Sequence, residues 1–211
     1  IELLQKHTVE LYDLKNKEFE FQKISAQELI TVSRFDLFAK MTYIKHRSSN
    51  PDYAKKIYAE HIKAFNPNLK EPGREDKNSL EDFIIAFDKL INHFKDNEFD
   101  AEVSLIPVSE GGVILDGSHR LAALAYFKKE VSILKFKRVE PIAKFDYCYF
   151  ISRGLLIETA DKITYEAVHF VDNLFIACLW PKMGSIRDRS FARDYFKEHF
   201  DLLYRKDLKM S

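Results

Sequence analysis

The sequence is poor in the residues that build disulfide frameworks, flexible linkers and repeats. Its 211 residues include only 2 cysteines, 6 glycines, 6 prolines and 1 tryptophan. Cys148 and Cys178 lie far apart and do not form the paired spacing of a zinc site or a redox motif, so we expect reduced thiols of an intracellular protein. No internal repeat or low-complexity tract is present in the sequence.

The sequence also lacks an excess of either charge and any long apolar run. Its 33 basic and 33 acidic residues cancel. Proteins that bind nucleic acid through its phosphates need a basic surface, so DNA is not an expected partner, although a local basic groove stays open. No stretch reaches the roughly 18 apolar residues of a membrane span, and no signal peptide is visible. We therefore expect a cytoplasmic protein without a membrane span.

The length of the chain suffices for one sizeable core, so we expect one domain with extensions. The sequence starts at Ile1 and stops at Ser211 within a patterned apolar and basic segment. Two interpretations stay open: the chain is part of a longer polypeptide, or its ends reflect trimming of a tag or disorder.

The most informative segment is an apolar run that ends at Asp116-Gly117, followed by a predicted helix whose first turn holds Ser118, His119 and Arg120. The first amides of a helix have no intrahelical acceptor and lie at the positive end of its dipole, so they bind anions. Glycine allows close approach, and imidazole and guanidinium add donors. The segment predicts a phosphate site. Alternatively, Asp116 or Ser118 caps an ordinary helix and the basic pair lies on the surface.

This segment resembles the signature of the ParB/sulfiredoxin superfamily, in which a strand, an Asp-Gly-x-His-Arg turn and a small-residue helix bind nucleotide phosphates. The resemblance covers about residues 100–137, with a weaker echo at residues 19–30. Sulfiredoxins carry a reactive cysteine where this chain has Ser118, so sulfinic acid repair is not expected. Chromosome-partitioning members show Gly-Glu-Arg-Arg at the turn. The nearest pattern is Asp-Gly-His-His-Arg, from the branch that includes free-serine kinases.

The resemblance implies an α+β fold in which a small mixed sheet is flanked by helices, over residues 1–140. Hydrophobic periodicity and capping signals predict its elements. The predicted elements are a hairpin of residues 8–14 and 18–23, a helix from Ser25 through Met41, a helix from Asn50-Pro51 to Asn66-Pro67, a helix capped by Ser79 and Asp82, and strands at 103–108, 113–115 and 131–137.

Residues 141–211 are predicted to form a C-terminal α/β extension that packs on this core. Aromatic runs predict two strands there, and polar capping patterns predict two helices. These are strands at 145–151 and 174–180 and helices near 164–171 and from 190 to about 200.

The candidate site residues follow from the phosphate turn and from a long charged loop at residues 66–78. Asp116 is a predicted catalytic carboxylate and Mg²⁺ ligand, or a helix cap, and His119 is a second catalytic candidate. Long charged loops often close over substrates, although a solvated loop is the plainer interpretation. The predicted nucleotide phosphate ligands are Gly117, Ser118, His119, Arg120, Arg74 and Lys77.

A second charged group interrupts the apolar pattern of the first long helix. Its members are reserve candidates for substrate binding, and a solvated helix face is the plainer interpretation. His61 lies on an apolar stripe and is predicted to be a core histidine with satisfied hydrogen bonds. The reserve substrate ligands are Arg34, Asp36, Lys40 and Glu71.

The resemblance implies a nucleotide-dependent phosphotransferase that acts on a small hydroxylated metabolite, with ATP or ADP, or CTP, and Mg²⁺ as cofactors. Cell-surface polysaccharide biosynthesis is a setting in which similar sequences occur. Two alternatives stay open. One is a non-catalytic nucleotide or phosphate-binding module of a larger enzyme. The other is a ParB-like DNA-binding protein or nuclease, although no basic helix-turn-helix follows the signature.

Overall fold

The computed structural model of the chain describes residues 1–70, 78–172, 174 and 175, together with the isolated positions 191, 194, 195 and 198. Within these residues, helices outnumber strands. The helices and strands are α1 (Lys6–Leu11), β1 (Phe19–Ser25), α2 (Phe35–His46), α3 (Pro51–Phe65), α4 (Leu80–Asp96), β2 (Ile106–Val108), α5 (Ser118–Tyr126), β3 (Glu130–Phe136), α6 (Tyr147–Ser152) and α7 (Ile157–Ala167).

The sheet has the strand order β1-β3-β2. Strand β3 pairs antiparallel with β1 and parallel with β2, so the sheet is mixed. Successive side chains of a strand point to opposite faces. Val131 and Ile133 of β3 accordingly belong to the large apolar cluster formed with the helices, whereas Leu134 and Phe136 belong to a smaller cluster on the other face.

Helix α2 lies in the interior of the molecule. Ten consecutive residues, from Phe35 to Ile44, are buried. The helix packs against α3, α5 and α7, and so its whole circumference faces other elements. Helices α6 and α7 contribute Phe150 and Ile163 to the same apolar cluster. The described residues of α6 and α7 therefore pack on the core.

Local capping signals locate α3 and α4 correctly. Asn50 Oδ1 accepts from the amide of Tyr53 at 3.3 Å, and Pro51 occupies the first turn of α3. Ser79 and Asp82 form a reciprocal capping box at the start of α4. These bonds satisfy amides that a helix start leaves without partners.

Three predictions for residues 1–140 need correction. The predicted strand 8–14 is wrong, because α1 occupies residues 6–11. The capping box at Ser25 is present, but it opens only a 3-10 turn, Ala26–Leu29, and α2 begins separately at Phe35. Residues 113–115 join the sheet only through one bridge, between Ile114 and Val108. Strand β3 confirms the strand predicted at 131–137.

In the C-terminal part, the predicted strand 145–151 is wrong. Asp146 Oδ1 accepts from the amide of Tyr149 at 2.8 Å and starts α6, so the aromatic run is helical. Helix α7 begins earlier than the helix predicted near 164–171. The predicted strand at 174–180 and the helix from 190 lie largely outside the described residues. The α+β class is confirmed, and no helix of the described segments is long and apolar enough to cross a membrane.

Candidate functional site

The candidate site lies where the chain turns back from the sheet into α5. Two backbone bonds hold the segment before the turn: Ser109 N donates to Val113 O at 2.8 Å, and Leu115 N donates to Pro107 O at 2.9 Å. The chain then reaches Gly117, whose φ of 83° lies in the left-handed region that favours glycine. The turn therefore needs a glycine at this position.

Helix α5 starts without a side-chain cap. Gly117 is its N-cap residue, and Gly117 O accepts from Leu121 N at 2.9 Å as the first bond of the helix. Among the described residues, neither Asp116 nor Ser118 makes a hydrogen bond that would cap it, so the interpretation of either as a helix cap is wrong. The amides of the first turn precede the first intrahelical donor and lie at the positive end of the helix dipole.

The guanidinium of Arg120 lies against this turn. A Cβ atom built on Gly117 would be 2.9 Å from Arg120 Nη2, so a side chain at 117 would displace the guanidinium. Arg120 Nη1 donates to Ser104 Oγ, and Nη2 lies 3.9 Å from Asp116 Oδ2. Burial lowers the pKa of Arg120, and the charge of Asp116 opposes that shift. The guanidinium stays protonated at any physiological pH.

Asp116 places a carboxylate beside Arg120 at the start of α5. Its side chain is 24% exposed, yet Oδ2 is buried and has no hydrogen-bond partner in the described part of the chain. Within the same residues, no group of three metal-ligating side chains is present. A Mg²⁺ ion at Asp116 would therefore take most of its ligands from phosphates and water, as Mg²⁺ sites of nucleotide enzymes usually do.

His119 is half-buried and faces helices α3 and α4. Its Nε2 lies 2.9 Å from the hydroxyl of Tyr58, a fully buried residue. The imidazole also packs edge-on against Phe87, with 4.8 Å between ring centroids. The sequence gives Tyr58 only as a residue of an apolar helix face, so its contact with the turn was not predicted.

The second charged group is an ion cluster in the interior. Arg34 Nε and Nη2 each donate to a carboxylate oxygen of Asp36 at 2.8 Å, and Lys40 Nζ donates to Asp36 Oδ2 at 2.9 Å. All three side chains are at most 5% exposed. Burial by itself would raise the pKa of Asp36, but the two cations and the Arg34 hydrogen bonds outweigh it and hold that pKa well below its usual range.

The interpretation of this cluster as a solvated helix face is therefore wrong. Arg34 precedes the first turn of α2 in a non-helical conformation, and from there its side chain reaches Asp36, which is two residues further on. Helical spacing does not describe that contact. Arg34 Nη1 also donates to Ile114 O at 2.7 Å, which links the cluster to the segment before Asp116 and Gly117. The roles of Arg34, Asp36 and Lys40 as substrate ligands stay predictions.

His61 lies beside this cluster and is not a satisfied histidine. It is fully buried, and within the described structure neither ring nitrogen has a hydrogen-bond partner. Its ring packs 5.0 Å from that of Phe150. Burial lowers its pKa well below the usual value, the charge of Lys40 lowers it further, and Asp36 partly opposes the shift. The imidazole is therefore neutral at pH 7.

The remaining predicted ligands, Glu71, Arg74 and Lys77, lie outside the described residues. The site that can be described thus consists of Asp116, the start of α5 with Arg120, and the supporting contacts of Tyr58 and Arg34.

Comparisons with known proteins add nothing to this geometry. No protein-family model matches the chain, no curated protein is significantly similar to its sequence, and no solved structure matches its fold at a significant level.

Proposed function

We propose that the protein is a nucleotide-dependent phosphotransferase that acts on a small hydroxylated metabolite and binds the nucleotide phosphates at the start of α5. The observation that carries this proposal is the pairing of an uncapped helix N-terminus with the unpartnered oxygen of Asp116 beside the Arg120 guanidinium. Helix amides and arginine bind phosphate oxygens, and the carboxylate supplies a hard ligand for Mg²⁺. The Asp-Gly-x-His-Arg resemblance points to the same chemistry.

The charges at the turn make this binding depend on a cation. A phosphate at the first amides of α5 comes close to the carboxylate of Asp116, and two anions a few ångströms apart repel each other. A Mg²⁺ ion held by Asp116 would offset this repulsion. It would also neutralise charge on the phosphates, which is the chemistry that Mg²⁺ supplies in phosphoryl transfer.

The protein residues then have separate roles. Arg120 and the amides of residues 118–120 orient the phosphates, and the hydroxyl of Tyr58 holds the imidazole of His119, which belongs to the same turn. Asp116 holds the ion or accepts the proton of the attacking hydroxyl. ATP, ADP and CTP are the nucleotides to be tested. The scaffold works mainly by positioning reactants.

The test asks whether one substitution at Asp116 changes the pyrophosphate affinity in opposite directions with and without Mg²⁺. Asp116→Asn removes the negative charge with little change in shape. Isothermal titration of the purified chain with pyrophosphate is expected to show tighter metal-free binding by Asp116→Asn than by wild type, and weaker binding by the variant when Mg²⁺ is present. Each effect is expected to be about 1 to 2 kcal/mol, the size of a charge-assisted contact at a partly exposed site.

Asp88→Asn is the matched control, because Asp88 also pairs with an arginine, Arg47, at the edge of another helix pair. It should change neither titration. If Asp116→Asn changes the pyrophosphate affinity equally with and without Mg²⁺, or does not change it at all, the proposed site is contradicted. Turnover is tested separately by ³¹P NMR with ATP, Mg²⁺ and pools of sugars and hydroxyamino acids. Tight binding without turnover of any acceptor would favour the binding-module alternative.

A further inference from the structure

Arg34 connects the buried ion cluster to the turn that carries Asp116. Its Nη1 donates to the carbonyl of Ile114 at 2.7 Å, two residues before Asp116. The same guanidinium donates hydrogen bonds to both carboxylate oxygens of Asp36, which lies in the first turn of α2. One planar group therefore joins the interior helix to the segment before the candidate site.

That segment has few other bonds to hold it. Residues 113–115 form no regular strand, and their bonds to the neighbouring segment are two backbone bonds and one bond from Val113 N to Ser109 Oγ at 3.1 Å. Ile114 makes only an isolated bridge with Val108. Among the residues that the structure describes, the bond from Arg34 ties this segment to the start of the interior helix α2.

Arg34 is itself fixed in place. The amide of Phe35 donates to Phe145 O at 2.8 Å, and the guanidinium lies 5.2 Å from the ring centroid of Phe145. The side chain is 5% exposed. Arginine presents donors in a rigid planar fork, and a lysine ammonium in the same place does not reproduce that geometry.

We propose that Arg34 is a positioning residue, which sets the place of Asp116 relative to an anion bound at the start of α5. This inference rests on the proposed function. In this role Arg34 acts through the main chain, because its donors are directed to Asp36 and to the carbonyl of Ile114. Its effect is transmitted through the carbonyl of Ile114 to the turn.

The experiment compares Arg34→Ala and Arg34→Lys with wild type. Arg34→Ala leaves Asp36 paired with Lys40, at 2.9 Å, so the buried charges of that pair still balance. In Arg34→Lys the cation is kept but the fork is lost. Both variants are expected to bind Mg²⁺-pyrophosphate about 10-fold to 100-fold more weakly, the usual effect of removing a group that orients a metal ligand. The affinity for metal-free pyrophosphate, whose binding does not need Asp116, should change less than threefold.

Amide hydrogen exchange of the ligand-free protein gives a second readout. Exchange at residues 115–117 should become faster in both variants, whereas exchange in α3 and α4 should stay as in wild type. Arg153→Ala is the matched control, because Arg153 Nε also donates to a main-chain carbonyl, that of Ala64, at 2.7 Å. It should leave both ligand titrations unchanged.

The outcomes separate the two proposals. If wild-type protein binds neither form of pyrophosphate, the proposed function fails. If wild type binds and the Arg34 variants bind equally well, or lose both titrations to the same extent while exchange rises throughout the protein, Arg34 does not position Asp116. Weakening confined to the Mg²⁺ form, with faster exchange confined to the turn, supports the inference.

Discussion

Substitution of Asp36 by asparagine should strongly destabilise the protein. The carboxylate receives three hydrogen bonds, at 2.8, 2.8 and 2.9 Å, from two buried cations. Asparagine has nearly the same shape, but it removes the negative charge and turns one acceptor into a donor that faces a cation. Removal of one partner of a buried ion pair costs about 3 to 5 kcal/mol. A domain of this size is typically stable by roughly 5 to 15 kcal/mol, so the loss is a large part of the total.

Urea unfolding at pH 7, followed by circular dichroism, measures this loss. The control is Asp88→Asn. Asp88 also pairs with an arginine but is 37% exposed, so the same change should cost no more than about 1 kcal/mol. A loss below about 1 kcal/mol for Asp36→Asn, or a loss equal to that of the control, would refute the assignment of a buried, charged Asp36.

The pH dependence of the same difference has a defined sign. The pKa of Asp36 is lowered in the folded protein, so its stabilising contribution is complete above the unfolded pKa of about 3.9 and is lost as the pH falls below that value. The difference between wild type and Asp36→Asn should therefore be constant from pH 7 to pH 5. A difference that changes over this range would mean that the pKa of Asp36 in the folded protein is raised into this range rather than lowered.

Three further changes test the site and the core. Because the pKa of His61 is lowered in the folded protein, the free energy of unfolding should fall as the pH drops below about 6.5, by up to about 1.4 kcal/mol per pH unit. In urea titrations His61→Leu should reduce this pH dependence, whereas the control His93→Gln, at an exposed position, should leave it unchanged. Gly117→Ala should destabilise the fold by about 1 to 2 kcal/mol and should also abolish pyrophosphate binding in calorimetry. Gly154 has a φ of 92°, and a Cβ atom built on it would meet nothing within 4 Å, so Gly154→Ala should cause a similar loss of stability without any effect on binding. Arg120→Ala should weaken pyrophosphate binding by about 1.5 to 3 kcal/mol while the protein stays folded, and an unchanged affinity would remove Arg120 from the site. The control is Arg47→Ala, because the side chain of Arg47 is buried to nearly the same extent as that of Arg120.

Elements whose ends are marked by local contacts were predicted well from the sequence. Helices α3 and α4 begin at Asn50 and Ser79, where the capping side chain and the amide that it binds are three residues apart. The turn at Gly117 and the helix after it are predicted for the same reason, because the glycine and the first residues of α5 are adjacent. Local signals also explain one error: the aromatic run after Asp146 has strand propensity, but the aspartate caps a helix there.

The support of the site could not be predicted, because its partners are far apart in the sequence. Arg34 and Ile114, which bond to each other, are 80 residues apart, and Tyr58 and His119 are 61 residues apart. The burial of Asp36 and Lys40 depends on the packing of several elements around α2, which no local pattern reports. Charged residues in an apolar helix are usually at the surface, so the general rule led to the wrong interpretation here.

The interior position of α2 restricts how this protein can vary. A helix on the surface of a domain has one face on which almost any polar residue is accepted, as α4 does with its exposed Glu81 and Lys89. From Phe35 to Ile44, α2 has no such face, and its charged residues are as constrained as its aromatic ones. Selection on folding alone therefore preserves Asp36 and Lys40, so invariance of these residues among homologues would not by itself identify them as substrate ligands.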